Sequence, residues 1–207
     1  MISYAILVSD EDQEFNKLLT HLVRIKDEED EIIVVADSSK TNSNIKTILN
    51  NNQSNVTHYM RSLDGDFSAQ KNFLFEKCNN EFIVNLDADE FVDEIFIKSV
   101  KQILKSNPDI DAYWVPRWNE VTGITDDHIK MWGWKLDSYK RINWPDLQMR
   151  IVRNAPDIKW TGIVHEQITG YNTYAVLPLE RDYSIAHIKT IEKQTKQNAF
   201  YTNMVKK

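Results

Sequence analysis

The chain has 207 residues, of which 42% are apolar and 27% are charged. This composition is typical of a folded globular domain and argues against disorder, and the length suits one compact domain. The formal net charge of -6 argues against a nucleic-acid partner, because surfaces that bind a phosphate backbone rely on clustered lysine and arginine.

The first half of the chain alternates predicted strands with predicted helices. Apolar runs predict four strands, the third weaker than the others: 3–8, 32–36, 56–60 and 82–86. Apolar residues at helical spacing predict four helices: 15–25, 45–49, 67–78 and 95–104. This alternation implies a mostly parallel sheet with right-handed crossovers, in which ligands bind beyond the carboxyl ends of the strands.

The second half of the chain, after Pro108, lacks the regular alternation of strand and helix patterns and is richer in tryptophan. The pattern predicts a strand at 112–115 and a helix at 191–205. All six tryptophans lie in this half, and we expect most of them to fill the core.

The compartment is indicated by the cysteine count and by the N-terminal segment. Cys78 is the only cysteine, whereas secreted domains usually carry paired cysteines. Residues 1–8 form too short an apolar run for a signal peptide or a transmembrane segment. We therefore expect a cytoplasmic protein without a transmembrane segment, and the oligomeric state stays open.

Two carboxylates, Asp87 and Asp89, directly follow the buried run at 82–86. An isolated Asp-x-Asp is more often a solvated turn or a helix cap. The preceding strand favours a metal site instead, since Mn²⁺ and Mg²⁺ prefer oxygen ligands, and Mg²⁺ commonly combines one or two carboxylates with substrate phosphates. Asp37, which follows the second predicted strand, should lie at the same edge of the sheet.

Phosphate-binding loops are missing from the sequence. The chain has five glycines and contains neither a Walker loop nor a dinucleotide fingerprint. A diphosphate would therefore depend on a metal ion and on a few cationic side chains for charge compensation.

Several motifs resemble those of the family 2 glycosyltransferases of the GT-A fold, in particular the small bacterial and phage enzymes of the lipopolysaccharide-core type. The resemblance spans nearly the whole sequence and rests on six segments: 34–39, 69–72, 86–90, 148–153, 160–166 and 186–189.

The resemblance implies an α/β fold of the GT-A type, with a Rossmann-like, mostly parallel central sheet flanked by helices and a smaller C-terminal region. One domain at 1–207 would comprise a nucleotide-sugar donor half at 1–107 and an acceptor-facing half at 108–207. The implied activity is metal-dependent, inverting transfer of a sugar from a nucleotide-diphosphate donor to a hydroxyl-bearing glycan, lipopolysaccharide or lipid-linked acceptor.

The resemblance also assigns roles to individual residues of the donor half. Asp37 would contact the nucleoside, and Lys71, where the family more usually has arginine, would contact the donor. Asp87 and Asp89 would bind the ribose and the metal, Mn²⁺ or Mg²⁺. His187 fits the position of the family's late metal-binding histidine, although a structural, hydrogen-bonded histidine is the alternative.

Candidate acceptor and catalytic residues lie in the second half. Trp132 and Trp134 flank a glycine and are predicted to stack on a sugar face, with core packing as the alternative. His165 is a candidate acceptor contact. Glu166 is the predicted catalytic base and Asp146 the second candidate, while a structural carboxylate is the competing interpretation.

Other functions stay open at this point. A nucleotidyltransferase of the sugar-nucleotide pyrophosphorylase type would need a Gly- and Arg-rich loop after the first strand, and residues 9–12 offer none. A phosphatase of the haloacid-dehalogenase type would carry its Asp-x-Asp after the first strand. A nucleotide-sugar-binding domain without transfer activity would show the same metal motif.

Overall fold

The structure, a computed structural model, describes residues 1–162 and 166–205, with side chains described up to residue 199. Its ten strands are β1 (Ile2–Val8), β2 (Glu31–Asp37), β3 (Thr57–Arg61), β4 (Phe82–Asp87), β5 (Ala112–Thr122), β6 (Asp146–Arg153), β7 (Lys159–Thr161), β8 (Gln167–Thr169), β9 (Tyr174–Val176) and β10 (Ile185–Thr190). Its helices are α1 (Asp12–Ile25), α2 (Ser43–Asn51), α3 (Phe67–Phe75), α4 (Glu94–Ser106), α5 (Asp126–Trp132) and α6 (Ile191–Val205), with a 3₁₀ turn at Arg181–Tyr183.

Eight of these strands form one sheet in the order β10-β5-β6-β4-β1-β2-β3, with β9 beside β5. Strands β4, β1, β2 and β3 are parallel neighbours. Strand β6 runs antiparallel to both β4 and β5. The predicted α/β fold with a mostly parallel central sheet is therefore confirmed, and strands from both halves of the chain belong to this one sheet.

Both faces of the sheet are covered, which explains the unbroken apolar runs in its central strands. On one face Ile6, Val34 and Val84 pack in the same cluster as residues of α1, α2 and α4. On the other face Val35 and Ile83 pack in the same cluster as residues of α3 and with Trp160.

The helices that follow β3 and β4 begin at aspartate caps. The Asp66 carboxylate accepts a hydrogen bond of 2.8 Å from the backbone N–H of Ala69, and Asp93 accepts one of 2.8 Å from Phe96. Such caps satisfy backbone donors that the first turn of a helix leaves unpaired. They fix where α3 and α4 start relative to the strand ends that precede them.

The second half differs most from the sequence-based expectation. Strand β5 continues to Thr122, well beyond the predicted 112–115, because β6 and β10 pair with its polar continuation. In the first half the difference is smaller: helix α3 ends at Phe75, three residues earlier than predicted. Of the six tryptophans only Trp160 is buried, and the other five are half-buried. The expectation that most would fill the core was therefore too strong.

Within the described part of the chain, no helix combines the length and the apolar character needed to cross a membrane.

Candidate active site

A cavity of about 1090 Å³ lies at the carboxyl ends of the parallel strands. The last residues of β2 and β4, Asp37 and Asp87, and the segments after β1 and β3, with Ser9 and Leu63, contribute to its wall. The two strand-end aspartates that the sequence singled out thus face one cavity.

Asp87, the last residue of β4, is held by an arginine from β6. Its Oδ2 lies 2.6 Å from a guanidinium nitrogen of Arg150, and the same nitrogen lies 2.6 Å from Oε1 of Glu90. Desolvation raises the pKa of the Asp87 carboxyl, but the charges of Arg150 and Lys71 outweigh it and hold the pKa below its usual range. Asp87 is therefore ionised at neutral pH.

A chain of alternating charges connects Asp87 to Asp146. Glu90, whose side chain is fully buried, accepts from Arg150 and lies 3.4 Å from Arg117. Arg117 in turn lies 2.8 Å from Oδ2 of Asp146. Because buried charges are stable only when they are paired and hydrogen-bonded, this network fixes the relative positions of β4, β5 and β6 beneath the cavity.

Asp89 faces two side chains of β10. Its Oδ2 lies 3.4 Å from Nε2 of His187 and 3.0 Å from Nζ of Lys189. Burial raises the pKa of the Asp89 carboxyl, but the hydrogen bond and charge from His187 and the charge of Lys189 bring it below its usual range. Asp89 and His187, 98 positions apart in the chain, are brought together by the bridge between Phe91 and Ala186 and by the pairing of β10 with β5.

The tautomer of His187 follows from its second contact. The amide nitrogen of Asn119 donates to Asp146 at 2.7 Å, so the amide oxygen of Asn119 is the atom that faces Nδ1 of His187 at 2.7 Å. Because that oxygen only accepts, Nδ1 of His187 carries a proton. Nε2, the nitrogen that contacts Asp89, is then the one that would bind a metal ion after losing its proton, as in a metal-ligating histidine.

These donors suit a divalent cation. A carboxylate oxygen and an imidazole nitrogen 3.4 Å apart are close enough to bind one ion together. Among the described residues no group of three or more acidic, histidine or cysteine side chains is arranged around one point. An ion bound at Asp89 and His187 would therefore complete its coordination with substrate phosphates and water, which is the usual arrangement for Mg²⁺.

Lys71 and Glu166 form an ion pair across the cavity wall. Nζ of Lys71, on α3, lies 2.5 Å from Oε1 of Glu166 and 4.0 Å from the ring centroid of Trp160. The side chains are only 11% and 16% exposed, so the pair is shielded from solvent. The contact fixes the Glu166 carboxylate at the cavity wall, where both residues line the space.

Asp146 lines the same cavity but is more heavily hydrogen-bonded. Its carboxylate accepts from Arg117 at 2.8 Å, from Asn119 at 2.7 Å and from Gln148 at 2.7 Å. Burial raises the pKa of Asp146, and the charge of Arg117 with these hydrogen bonds brings it below its usual range. Its oxygens therefore have little capacity left for an acceptor hydroxyl.

Asp37 has one satisfied and one unsatisfied carboxylate oxygen. Oδ1 accepts from the backbone N–H of Ser39 at 3.0 Å, from the Ser39 hydroxyl at 2.7 Å and from the Leu63 N–H at 3.3 Å. Oδ2 is buried and has no hydrogen-bond partner among the described residues. A buried acceptor without a partner is costly, so this atom is suited to a ligand N–H or O–H.

Comparison with known proteins assigns the chain to a family. A family model described as Glycosyl transferase family 2 matches residues 3–158. The chain belongs to glycosyl transferase family 2. Comparison with curated proteins finds no match.

Solved structures show the same fold at low sequence identity. S. aureus TarS 1-349 in complex with UDP superposes with a TM-score of 0.64 at 15% identity, over 90% of this chain and 60% of that chain. Its complex with UDP-GlcNAc gives 0.61 at 15% identity, over 91% and 58%. A further S. aureus TarS structure gives 0.61 at 15% identity, over 92% and 36%. The chain therefore spans less than two thirds of the length of these proteins.

In this member of glycosyl transferase family 2, the two tryptophans predicted to contact an acceptor have different positions. Gly133 ends α5 in the left-handed conformation, with φ of 65°, and allows the rings of Trp132 and Trp134 to pack with their centroids 4.8 Å apart. Trp134 lines the cavity, whereas Trp132 packs behind it against His128. The remaining acceptor candidate, His165, lies outside the described residues.

Four charged residues of the site were not singled out from the sequence: Arg117 and Lys189, which line the cavity, and Glu90 and Arg150, which lie beneath it. Glu90, Arg150 and Lys189 lie inside motif segments that carried the family resemblance, so their proximity to candidate residues was the available signal. Arg117 lies in the polar continuation of β5, which the apolar pattern did not extend far enough to include.

Proposed function

We propose that this chain transfers a sugar from a nucleoside-diphosphate donor to a hydroxyl acceptor, with inversion at the anomeric carbon and with dependence on Mn²⁺ or Mg²⁺. The observation that carries the proposal is the approach of His187 Nε2 to Asp89 Oδ2, at 3.4 Å, in the same cavity as Asp37 and Glu166. Four separate parts of the chain would thus supply a nucleoside contact, a metal pair and a base.

The nucleoside would lie near Asp37. The unpaired Oδ2 of Asp37 is an acceptor for an N–H of the base, and the neighbouring Ser39 and Leu63 hold the carboxylate in place through Oδ1. The similar S. aureus TarS structures contain UDP and UDP-GlcNAc. A uracil ring carries an N–H of the required kind, so uridine-diphosphate sugars are the first donors to test.

The diphosphate would lie between β4 and β10. Asp89 and His187 would hold the cation, and Asp87, fixed by Arg150, would contact the ribose or the metal. A divalent cation at this point supplies Lewis-acid stabilisation of the charge that grows on the departing diphosphate. Lys189 provides a second positive charge beside Asp89, which supports phosphate binding in a site without a glycine-rich loop.

Glu166 would act as the base. Its carboxylate would accept the proton of the acceptor hydroxyl while that oxygen forms a bond to the anomeric carbon and the bond from this carbon to the diphosphate breaks. Lys71 would position Glu166 through the 2.5 Å contact. Asp146 is the alternative base, and its three hydrogen-bonding side chains make it the weaker candidate.

The acceptor would enter beside Trp134, whose ring lines the cavity and is supported by Trp132. A hydroxyl-bearing glycan or lipid-linked acceptor would stack a sugar face on this ring. In this arrangement residues 1–107 contribute most of the donor site and residues 108–207 the acceptor side, and His165 remains a predicted acceptor contact. The proposed compartment is the cytoplasm.

Calorimetric titration with UDP, with and without Mn²⁺, followed by an assay of UDP-GlcNAc hydrolysis, tests the proposal. We expect binding that requires the metal, and slow hydrolysis of a matching donor. A thermal-shift screen of other nucleotide sugars extends the search if UDP-GlcNAc is the wrong donor. Metal-dependent nucleotide binding without turnover of any donor would favour the non-catalytic binding domain, and absence of metal-dependent nucleotide binding would contradict the metal site.

A further inference from the structure

The segment between α5 and β6 forms an ordered hairpin at the edge of the cavity. The backbone N–H of Asn143 donates to Lys135 O at 2.8 Å, and the N–H of Lys135 donates to the Asn143 side chain at 2.9 Å. Leu136 and Ile142 form a bridge between the two arms. Ile142 is buried and anchors the hairpin, whereas Ser138, Tyr139 and Lys140 at its tip are exposed.

Large apolar side chains are exposed on this hairpin and on the adjoining end of α5. Met131, Leu136 and Tyr139 are 67%, 42% and 68% exposed. Three such side chains within nine residues leave apolar area in water that an apolar partner would cover.

The same segment carries three lysines that form no ion pair with any described carboxylate. Lys130, Lys135 and Lys140 are exposed, and no carboxylate of the described residues forms an ion pair with them. The one acidic side chain between residues 130 and 141, Asp137, is paired with Arg141 at 2.6 Å. The segment is thus locally cationic in a chain whose formal net charge is -6.

Stacking of Arg141 on aromatic rings holds the hairpin against the body of the protein. The Arg141 guanidinium lies 3.9 Å from the ring centroid of Trp144, 4.9 Å from that of Trp118 and 5.1 Å from that of Tyr139. These contacts hold the hairpin in one conformation before it binds a partner. Binding then costs less conformational entropy, so the hairpin is preorganised for docking. Lysine beside exposed Tyr and Met is also the combination that favours the interface between a bilayer and water.

We propose that the hairpin rim, defined by Lys130, Met131, Lys135, Leu136, Tyr139 and Lys140, docks on the surface of a bilayer that contains anionic lipids. The lysines would lie among the headgroups while the apolar side chains enter the boundary with the acyl chains. The partner is identified by charge complementarity, because a neutral surface would leave the three lysines unpaired. This inference concerns membrane binding and does not depend on sugar transfer.

Docking at this rim would bring the cavity to the membrane. Trp134, Ile142, Asn143 and Pro145 belong to the same segment and line the cavity. An acceptor anchored in the bilayer by a lipid could then present its sugar hydroxyl to the acceptor side of the site. The rim therefore selects the lipid-linked class among the acceptors considered above, and that step alone rests on the proposed function.

Co-sedimentation with lipid vesicles tests the proposal. We expect the wild-type protein to bind vesicles of phosphatidylcholine with about a quarter of phosphatidylglycerol at about 0.1 M salt, and to bind pure phosphatidylcholine weakly. Replacing Lys130, Lys135 and Lys140 by glutamine should lower binding to the anionic vesicles on the order of a hundredfold, since each lysine near such a surface contributes about fivefold. Met131→Ser with Tyr139→Ser should also lower it, by a smaller factor.

A matched control variant has the same net charge as the variant in which Lys130, Lys135 and Lys140 are glutamine. It replaces three exposed lysines elsewhere by glutamine: Lys46, Lys105 and Lys159. We expect this variant to bind anionic vesicles within about twofold of wild type, since charges remote from the surface are screened. Equal melting temperatures of the two triple variants, and unchanged affinity for UDP with Mn²⁺, show that fold and donor site are intact.

Three results would overturn the proposal. The first is no binding of wild type to anionic vesicles, and the second is an equal loss of binding in the rim variant and in the control. The third is concentration-dependent self-association that the Met131→Ser, Tyr139→Ser variant abolishes, which would make the rim an interface between copies of this chain.

Discussion

The ammonium group of Lys189 lies 3.0 Å from Oδ2 of Asp89, so an internal cation already contacts the carboxylate that we propose as a metal ligand. Lys189 and His187 are two residues apart on β10 and both contact this one oxygen. A divalent ion at Asp89 must therefore compete with Lys189 or share the carboxylate with it. The balance between the two cations can be measured without a substrate.

Lys189→Met removes the competing charge and should raise the affinity for Mn²⁺ alone, by roughly fivefold to tenfold, a range expected for an ion pair that is shielded from solvent. Free Mn²⁺ measured by electron paramagnetic resonance gives the affinity directly. Lys193→Met, which removes an exposed lysine paired with Glu14, is the matched control and should leave Mn²⁺ binding unchanged. Weaker binding in Lys189→Met would show that Lys189 positions Asp89 for the metal.

Asp89→Asn should abolish Mn²⁺-dependent binding of UDP while the protein stays folded, because an amide oxygen is a much poorer ligand than a carboxylate. His187→Ala should have a smaller effect, on the order of tenfold to a hundredfold in metal affinity. Calorimetry with UDP at fixed Mn²⁺ measures both. Asp109→Asn removes an exposed carboxylate far from the cavity and serves as the control. An unchanged metal dependence in Asp89→Asn would rule out this metal site.

Glu166→Gln should lower kcat by about 10² to 10⁴ while UDP affinity stays near that of wild type, since loss of a general base affects the transition state more than the bound donor. Single-turnover rates with a donor found by the screen measure this effect. Asp146→Asn is the comparison variant. It should mainly lower the free energy of unfolding, because it breaks contacts with Arg117 and Asn119. Near-normal turnover in Glu166→Gln together with an inactive Asp146→Asn would transfer the role of base to Asp146.

Trp134→Ala should raise the KM for the acceptor by up to about tenfold without changing UDP affinity. The loss of one aromatic stacking contact weakens binding by a factor of about that size. Trp132→Ala removes the ring that packs behind it and should have a weaker effect of the same kind. Steady-state kinetics with varied acceptor measures both. A loss of thermal stability in Trp134→Ala without a change in KM would assign the ring to packing.

The sequence by itself determined the parallel half of the fold and the edge where the site lies. Strands β1, β2 and β4 are covered on both faces, so each is a continuous apolar run that is visible locally. Because parallel strands end at a common edge, the positions of Asp37 and Asp87 after such runs were enough to place both at one cavity.

The contacts within the site were decided only by tertiary structure. Strand β6 inserts antiparallel between β4 and β5 and carries Arg150 to Asp87, 63 residues away in the chain. Lys71 and Glu166 meet across 95 residues. The periodicity of apolar residues shows which face of an element is buried. These ion pairs depend instead on which strands pair and in what register. Strand pairing and register are set by the packing of the whole sheet.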